Sequence, residues 1–231
     1  MILTTGPGKE KFLKKTDKMR FGIDKVVKTL IISDFLLQGG WAFIGPIFVV
    51  LLSKQIQGGS IEMVGFIVAL YWITKSIFQA FIVDILKIQK GEKDDFNFLI
   101  KGLFVANLVP LGYFFANQII HIFILELIRA IAMACVIPSW SAIFSRHLDN
   151  HWADFYWNVE NTAVGLATGF GAFFGGIIAA IFGFKILFVF VSTFGLIATF
   201  LLRSIKGQLF LSDKGFFNQN SLKNNKKSSG I

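Results

Sequence analysis

Residues 119–144 of this chain read IIHIFILELIRAIAMACVIPSWSAIF, and Glu126 and Arg129 carry the only charged side chains among them. Five further stretches are as apolar, and each of the six is about 19 to 26 residues long, enough for a helix to cross a hydrocarbon core of about 30 Å. The six stretches are residues 30–52, 63–86, 96–116, 119–144, 157–182 and 184–202. Because the polar loops between them are short, the sequence predicts an all-α, multi-pass membrane protein.

Basic segments flank this predicted six-helix domain of residues 30–202. Residues 1–29 place apolar side chains at helical spacing among Lys and Arg, which predicts a helix lying along the inner membrane interface. Residues 203–231 are rich in Lys, Ser and Asn and have little to bury, which predicts a solvated tail. Neither segment is expected to form a further domain.

The distribution of Lys and Arg predicts how the helices are oriented. Of the 23 basic residues, 19 fall in the termini and in or beside the loops after the second and fourth stretches, whereas Lys54 and Lys185 lie in the other loops. Basic loops remain in the cytoplasm, so we expect both termini to be cytoplasmic in a cell-membrane protein. The net charge of +9 is then explained by topology and by attraction to anionic lipid, and no nucleic-acid partner is expected.

Ionisable residues inside the predicted helices are candidates for function because their burial in lipid is costly. Glu126 and Arg129 are three residues apart and therefore share a helix face. They form either a proton or substrate site facing an aqueous cavity or an ion pair that locks helices together. Lys75 lies near the middle of the second stretch, too deep to reach either interface, and requires a carboxylate or water.

The first stretch carries a polar stripe. Asp34 and Gln38 are four residues apart and share a face, and Trp41 continues that face, so all three are candidates for lining a solute pathway. Asp34 is only one turn from the inner interface, where a solvated or capping role explains it equally well. Glu160 is similarly shallow in the fifth stretch, and a solvated role is the preferred interpretation there.

Small residues recur every four positions in the fifth stretch. Such a row lets another backbone approach closely, which is how helices associate in lipid. The row comprises Ala163, Ala167, Gly171, Gly175 and Ala179, and Gly165 and Gly169 add a second pair. We interpret it first as a packing face, and as a gating surface only in addition.

Signatures of enzyme chemistry are weak in this sequence. His147 and His151 are four residues apart, but two ligands without a third at suitable spacing do not define a metal site. The sequence has no Gly-rich phosphate loop and no evident set of nucleophile, base and orienting group. The single cysteine, Cys135, is expected to be an inert buried thiol. We therefore predict a protein that is not an enzyme and needs no metal or cofactor.

Several local patterns resemble one six-helix half of a major facilitator superfamily transporter. Arg129 follows Leu125 by four residues, as in the fourth helix of that family. The loop after the second helix partly matches the family's Gly-x-x-x-Asp-Arg-x-Gly-Arg sequence, and the fifth helix approaches its Gly-x-x-x-Gly-Pro-x-x-Gly-Gly pattern without the proline. The matching positions are Ala80, Asp84, Lys87 and Lys90 in the loop, and Ala167, Gly171, Ala172, Gly175 and Gly176 in the helix.

The resemblance implies an arrangement of the helices. The first and fourth would line a central cavity, the second and fifth would contact the other half, and the third and sixth would face lipid. Asp84 and Arg146 would be candidates for a cytoplasmic gate. A complete family member has two such halves, whereas this chain has one, so three explanations remain: a half-size transporter that dimerises, a fragment of a longer transporter, or a membrane scaffold or sensor that has kept the half-fold.

The preferred hypothesis is a half-size secondary carrier of a small solute. Its pathway would contain Lys75, Glu126 and Arg129, and Glu126 is the candidate for proton coupling. Because these charges would otherwise face lipid, we expect a second copy to cover them. The predicted homodimer has its axis along the membrane normal, and its contact surface is expected at Gly171 and Gly175.

Overall fold

The computed structural model describes residues 24–89, 91–149 and 151–209. These residues form seven α-helices, and six segments are long and apolar enough to cross a membrane, which confirms that part of the sequence prediction. The predicted interfacial helix and the polar tail lie mainly outside the described residues. The helices are α1 (Lys25–Ala42), α2 (Gly45–Gln55), α3 (Ile61–Gln89), α4 (Glu92–Phe115), α5 (Ile119–Arg146), α6 (Ala153–Phe182) and α7 (Phe184–Arg203).

The first membrane segment is broken in the middle, between α1 and α2. The side chain of Asp24 caps the start of α1 by accepting a hydrogen bond from the Val26 amide at 2.7 Å. After Ala42 the helix is interrupted, and α2 starts at Gly45 with Pro46 in its first turn. Proline lacks an amide hydrogen and is best tolerated in a first helical turn, which explains why a new helix begins here.

Six of the helices form two groups, and in each group one helix packs against two others. Helix α5 packs against α3 and α4, and α1 packs against α6 and α7. The contact between α4 and α7 joins the two groups, whereas α1 and α5 touch only slightly. A space is therefore left beside α1, which carries Gln38, and α5, which carries Glu126 and Arg129.

Helices α3 and α6 are the least covered. Only 17% of the residues in their most apolar stretches are buried, against 33% to 44% in the other membrane segments. Their uncovered side chains include Phe66, Ile73 and Phe81 on α3 and Phe170 and Phe173 on α6. These faces require lipid or another protein surface to cover them.

The row of small residues on α6 packs against α1 of the same chain. A Cβ atom added at Gly171 would lie 2.7 Å from the Ala42 Cβ and against the Gly39 carbonyl oxygen. One added at Gly175 would lie 2.6 Å from the Phe43 Cα. Such close approach of two backbones agrees with a packing role. It also corrects the predicted dimer contact, because Gly171 and Gly175 are already covered within one chain.

A buried polar cluster joins α4 to α7. Asn107 is fully buried, and its amide nitrogen donates to the Gly195 carbonyl at 2.9 Å and to the Thr199 hydroxyl at 3.2 Å. The hydroxyl of Ser192 donates to the Asn107 carbonyl at 2.6 Å. Gly195 has to be small, since a Cβ atom there would overlap the Asn107 side chain. Hydrogen bonds of this kind hold membrane helices together where apolar contacts alone give no preference.

Candidate functional site

A cavity of about 400 Å³ lies between the first membrane segment, made of α1 and α2, and helices α3, α4 and α5. Aliphatic side chains form much of its wall, and the polar and aromatic groups converge on one region. Those groups are Gln38, Trp41, Tyr71, Trp72, Lys75, Tyr113, Glu126 and Arg129. A largely apolar pocket with a few convergent polar groups is typical of a small-molecule site.

Glu126 and Arg129 form the ion pair expected from their spacing on α5. Arg129 donates to Glu126 Oε2 through Nε at 2.9 Å and through a terminal nitrogen at 2.5 Å. The second carboxylate oxygen, Oε1, accepts a hydrogen bond from the Tyr113 hydroxyl of α4. Glu126 is 2% exposed, so both oxygens of a buried carboxylate are satisfied by neighbouring side chains.

Two aromatic rings hold the other side of the Arg129 guanidinium. Its central carbon lies 3.6 Å from the centroid of the Tyr71 ring and 4.7 Å from that of Trp41. A guanidinium attracts the faces of aromatic rings, and the attraction is stronger where water is excluded. The side chain is thereby fixed between α1, α3 and α5.

Lys75 is buried without an acidic partner among the described residues. It is 6% exposed, and its Nζ atom lies 3.5 Å from the centroid of the Trp72 ring and 5.5 Å from that of Tyr71. The ion pairs in the described part of the chain involve other residues. The sequence predicted that Lys75 needs a carboxylate or water as a partner. No carboxylate of the described helices is that partner.

A second cavity of about 270 Å³ adjoins the first and shares Leu37, Gln38 and Met133 with it. Asp34 lines this second cavity and accepts a hydrogen bond from the Gln38 amide at 3.5 Å. The Asp34 carboxyl also lies close to that of Glu160 on α6, which is 7% exposed. Glu160 is therefore buried, contrary to the solvated role expected for it.

Arg146, one of the two gate candidates, forms an ion pair with Asp95 of α4. The adjacent His147 lies with its Nδ1 atom 3.4 Å from Glu92 Oε1. These two contacts connect the start of α4 to the end of α5. Asp84, the other gate candidate, is exposed on α3. Across the residues that the structure describes, no group of three or more potential metal ligands is present.

Five of the six residues proposed for the solute pathway line the larger cavity, and Asp34 lines its neighbour. Sequence reasoning missed the contribution of Tyr113, which comes from a different helix. Its signal was weak: a single phenol in an apolar stretch needs a hydrogen-bond partner when buried, but the sequence does not name that partner. The sequence shows that Tyr71 and Trp72 are close to Lys75 in the chain. It does not show that these rings contact the cationic groups of Lys75 and Arg129.

Comparison with known proteins identifies the family. A family model described as Major Facilitator Superfamily matches residues 30–214, which is most of the chain. The chain belongs to the major facilitator superfamily, as its sequence patterns implied.

A curated relative supports this assignment. An uncharacterized MFS-type transporter of Methanocaldococcus jannaschii is 26% identical over 179 residues. The matched region covers 78% of this chain and 45% of that protein. The chain therefore spans about half the length of the relative it matches.

Proposed function

We propose that this chain is a half-size secondary carrier that moves a small solute through the cavity between the first membrane segment and helices α3, α4 and α5. The observation that carries the proposal is the Glu126–Arg129 pair on the wall of that cavity, together with the uncompensated Lys75. Ionisable groups at membrane depth are costly, and they mark substrate and ion pathways. Family membership supports a transport function in general.

Proton coupling through Glu126 is part of the proposal. A carrier driven by a proton gradient needs a group that binds and releases a proton while the solute site changes its access. Glu126 is linked to α4 through Tyr113 and to the aromatic rings of α1 and α3 through Arg129. A change of its charge would alter these contacts of α5 with α1, α3 and α4.

The opposite wall of the pathway is proposed to come from a second copy. Helices α3 and α6 present the least covered apolar faces, which matches the contact between halves implied by the family. Gly165, Gly169 and Gly176 form a second set of small residues on α6, and a Cβ atom added at any of them would meet open space. This set replaces Gly171 and Gly175 as the proposed dimer contact.

The dimer contact can be tested with two glycines that are only two residues apart. Gly169→Leu should convert dimers into monomers without unfolding the chain, because the added side chain projects from an uncovered face. Gly171→Leu should instead prevent stable folding, since α1 occupies that space. Native mass spectrometry in lipid and thermal unfolding would separate the two effects. Wild-type protein that is monomeric yet active would refute the dimer.

A flux assay tests transport itself. Purified protein in liposomes should accumulate at least one solute from a broad metabolite panel when a pH gradient is imposed. A triple variant, Lys75→Leu/Glu126→Leu/Arg129→Leu, should be inactive. The competing proposal, a scaffold or sensor, predicts no flux for any solute and tolerance of the triple change. It is favoured only if both of those results are found.

Membrane orientation completes the proposal: both termini in the cytoplasm of a cell-membrane protein. After Cys135→Ser, a cysteine placed at Gln57 should react with an impermeant thiol reagent applied to intact cells. A cysteine placed at Asp149 should react only after the membrane is permeabilised. The reverse pattern would overturn the orientation derived from the Lys and Arg bias.

A further inference from the structure

Charge is unbalanced within the larger cavity. Two cations, Lys75 and Arg129, face one carboxylate, Glu126, on its wall. Both carboxylate oxygens of Glu126 already accept hydrogen bonds, one from Arg129 and the other from Tyr113. Glu126 therefore does not also pair with Lys75. Lys75 therefore has no counterion among the described helices. An uncompensated cation that is 6% exposed is costly unless an anion or water accompanies it.

We propose that the cavity binds a small organic anion, with a carboxylate group as the counterion of Lys75. This inference rests on the proposed function, because it takes the cavity to be the solute site. Lys75 Nζ is available as a donor, since the contacts that hold it are with aromatic rings and none of these rings accepts its hydrogens as a carboxylate would. The carboxylate would lie at the positive end of the cavity, beside Tyr71 and Trp72.

The remaining walls suit an apolar or aromatic body on that anion. Trp41, Tyr71 and Trp72 supply ring surfaces, and Ile67, Val68 and Phe48 supply aliphatic and aromatic surface without charge. A highly hydrated or multiply charged solute would lose much hydration free energy on entering this cavity. Its attraction to one excess cation would not offset that loss. A monocarboxylate with a compact apolar part fits both the volume of about 400 Å³ and the single excess charge.

Binding can be measured without transport, by thermal unfolding of purified protein in zwitterionic lipid nanodiscs. The probes are matched pairs: benzoate against benzamide, and isobutyrate against isobutyramide, with benzylamine as the cationic counterpart of benzoate. Because a ligand that binds only the folded state raises its stability, each carboxylate should raise the unfolding temperature in a dose-dependent manner. Its apparent affinity should exceed that of its amide by about tenfold or more, since hydrogen bonds to charged groups are the stronger ones.

Lysine variants locate the site. Lys75→Met should weaken carboxylate binding by about tenfold or more, whereas Lys75→Arg should retain most of it. The matched control is Lys185→Met, because Lys185 also lies over an aromatic ring, at 5.3 Å from the Phe114 centroid, but is exposed outside the cavity. That variant should bind as the wild type does.

The experiments distinguish failure of the proposed anion site from failure of the carrier proposal. Binding of amides or benzylamine as tight as that of the carboxylates, or carboxylate binding that survives Lys75→Met, would overturn the anion site. The absence of a stabilising effect from any of the carboxylates would overturn it as well. Carboxylate binding that depends on Lys75 in a protein with no flux would uphold the anion site and refute the carrier proposal.

Discussion

Two polar clusters lie within the membrane-spanning helices, and they differ in what surrounds them. The Asn107 cluster between α4 and α7 is enclosed by protein and contains no charged side chain among its hydrogen-bonding partners. The cluster around Glu126 and Arg129 is charged and borders a cavity of about 400 Å³. Both clusters contain polar residues that interrupt apolar stretches of the sequence. The sequence alone does not show how their surroundings differ.

The difference separates packing from function. Neutral hydrogen bonds in an enclosed contact hold two helices in register, and they gain nothing from a change of charge. Charged groups beside a cavity can exchange one partner for a ligand or a proton. We therefore expect changes at Asn107 and its partners to lower stability while leaving ligand affinity intact, and changes at Glu126 and its partners to affect mainly transport.

Glu126→Gln should have the largest effect. A glutamine keeps the shape of the side chain but can neither neutralise Arg129 nor carry a proton. Because the coupling proton then has no group to bind, we expect proton-driven uptake in liposomes to fall to the level of protein-free liposomes. Glu62→Gln, the same change at an exposed residue of α3, should leave uptake unaltered. Unchanged proton-coupled flux in Glu126→Gln would remove Glu126 from the mechanism.

Gly195→Ala should act on stability alone. The added Cβ would lie 2.8 Å from the Asn107 amide nitrogen and would force that side chain out of its hydrogen bonds. Overpacking of this kind costs about 1–3 kcal/mol, measurable as a lower free energy of unfolding. Gly65→Ala is the control, because nothing lies within 4 Å of a Cβ atom there. A stability loss of equal size in both variants would contradict the packing role of Asn107.

Tyr113→Phe should give a smaller effect, and on transport. The ring keeps its contacts with Phe48 and Phe188, but Glu126 loses the hydroxyl that satisfies one oxygen. We expect uptake to fall about tenfold, the value of one hydrogen bond to a charged group. Tyr156→Phe removes a phenol hydroxyl of α6 that lies outside the cavity lining and should behave as the wild type. If the two variants lose equal activity, the Tyr113 hydroxyl has no special role.

Thr199→Val should have the smallest effect. It removes the hydrogen bond from Asn107 and the bond that the Thr199 hydroxyl donates to the Gly195 carbonyl of its own helix. Hydrogen bonds between membrane helices average about 0.6 kcal/mol. The unfolding temperature should fall slightly, with uptake per folded molecule unchanged. Thr193→Val is the matched control, because the exposed Thr193 hydroxyl donates only to the Val189 carbonyl of its own helix. A loss of uptake in Thr199→Val would mean that the α4–α7 contact takes part in the transport cycle.

Much of the fold could be predicted from local patterns. Six apolar stretches required six membrane-crossing segments. The pairing of Glu126 with Arg129 followed from their spacing on one helix. These features depend on residues close together in the chain, where helix geometry alone sets which side chains meet.

Partners on different helices could not be predicted. The sequence showed that Gly171 and Gly175 allow close approach, but a row of small residues does not identify which helix approaches, and the predicted partner was wrong. Tyr113 and Glu126 are 13 residues apart on separate helices, and Asn107 and Thr199 are 92 apart. Lipid is as apolar as the helices themselves, so hydrophobicity does not select among packings.

Length and hydropathy decide which segments can leave water, so the amino-acid sequence was enough to predict helices that cross a membrane and carry charge at membrane depth. The packing of the helices was needed to show that Lys75 shares a cavity with a carboxylate already bound by Arg129 and Tyr113. Charge balance in a cavity depends on all its walls together. Those walls come from four segments whose arrangement depends on close packing and a few hydrogen bonds between helices.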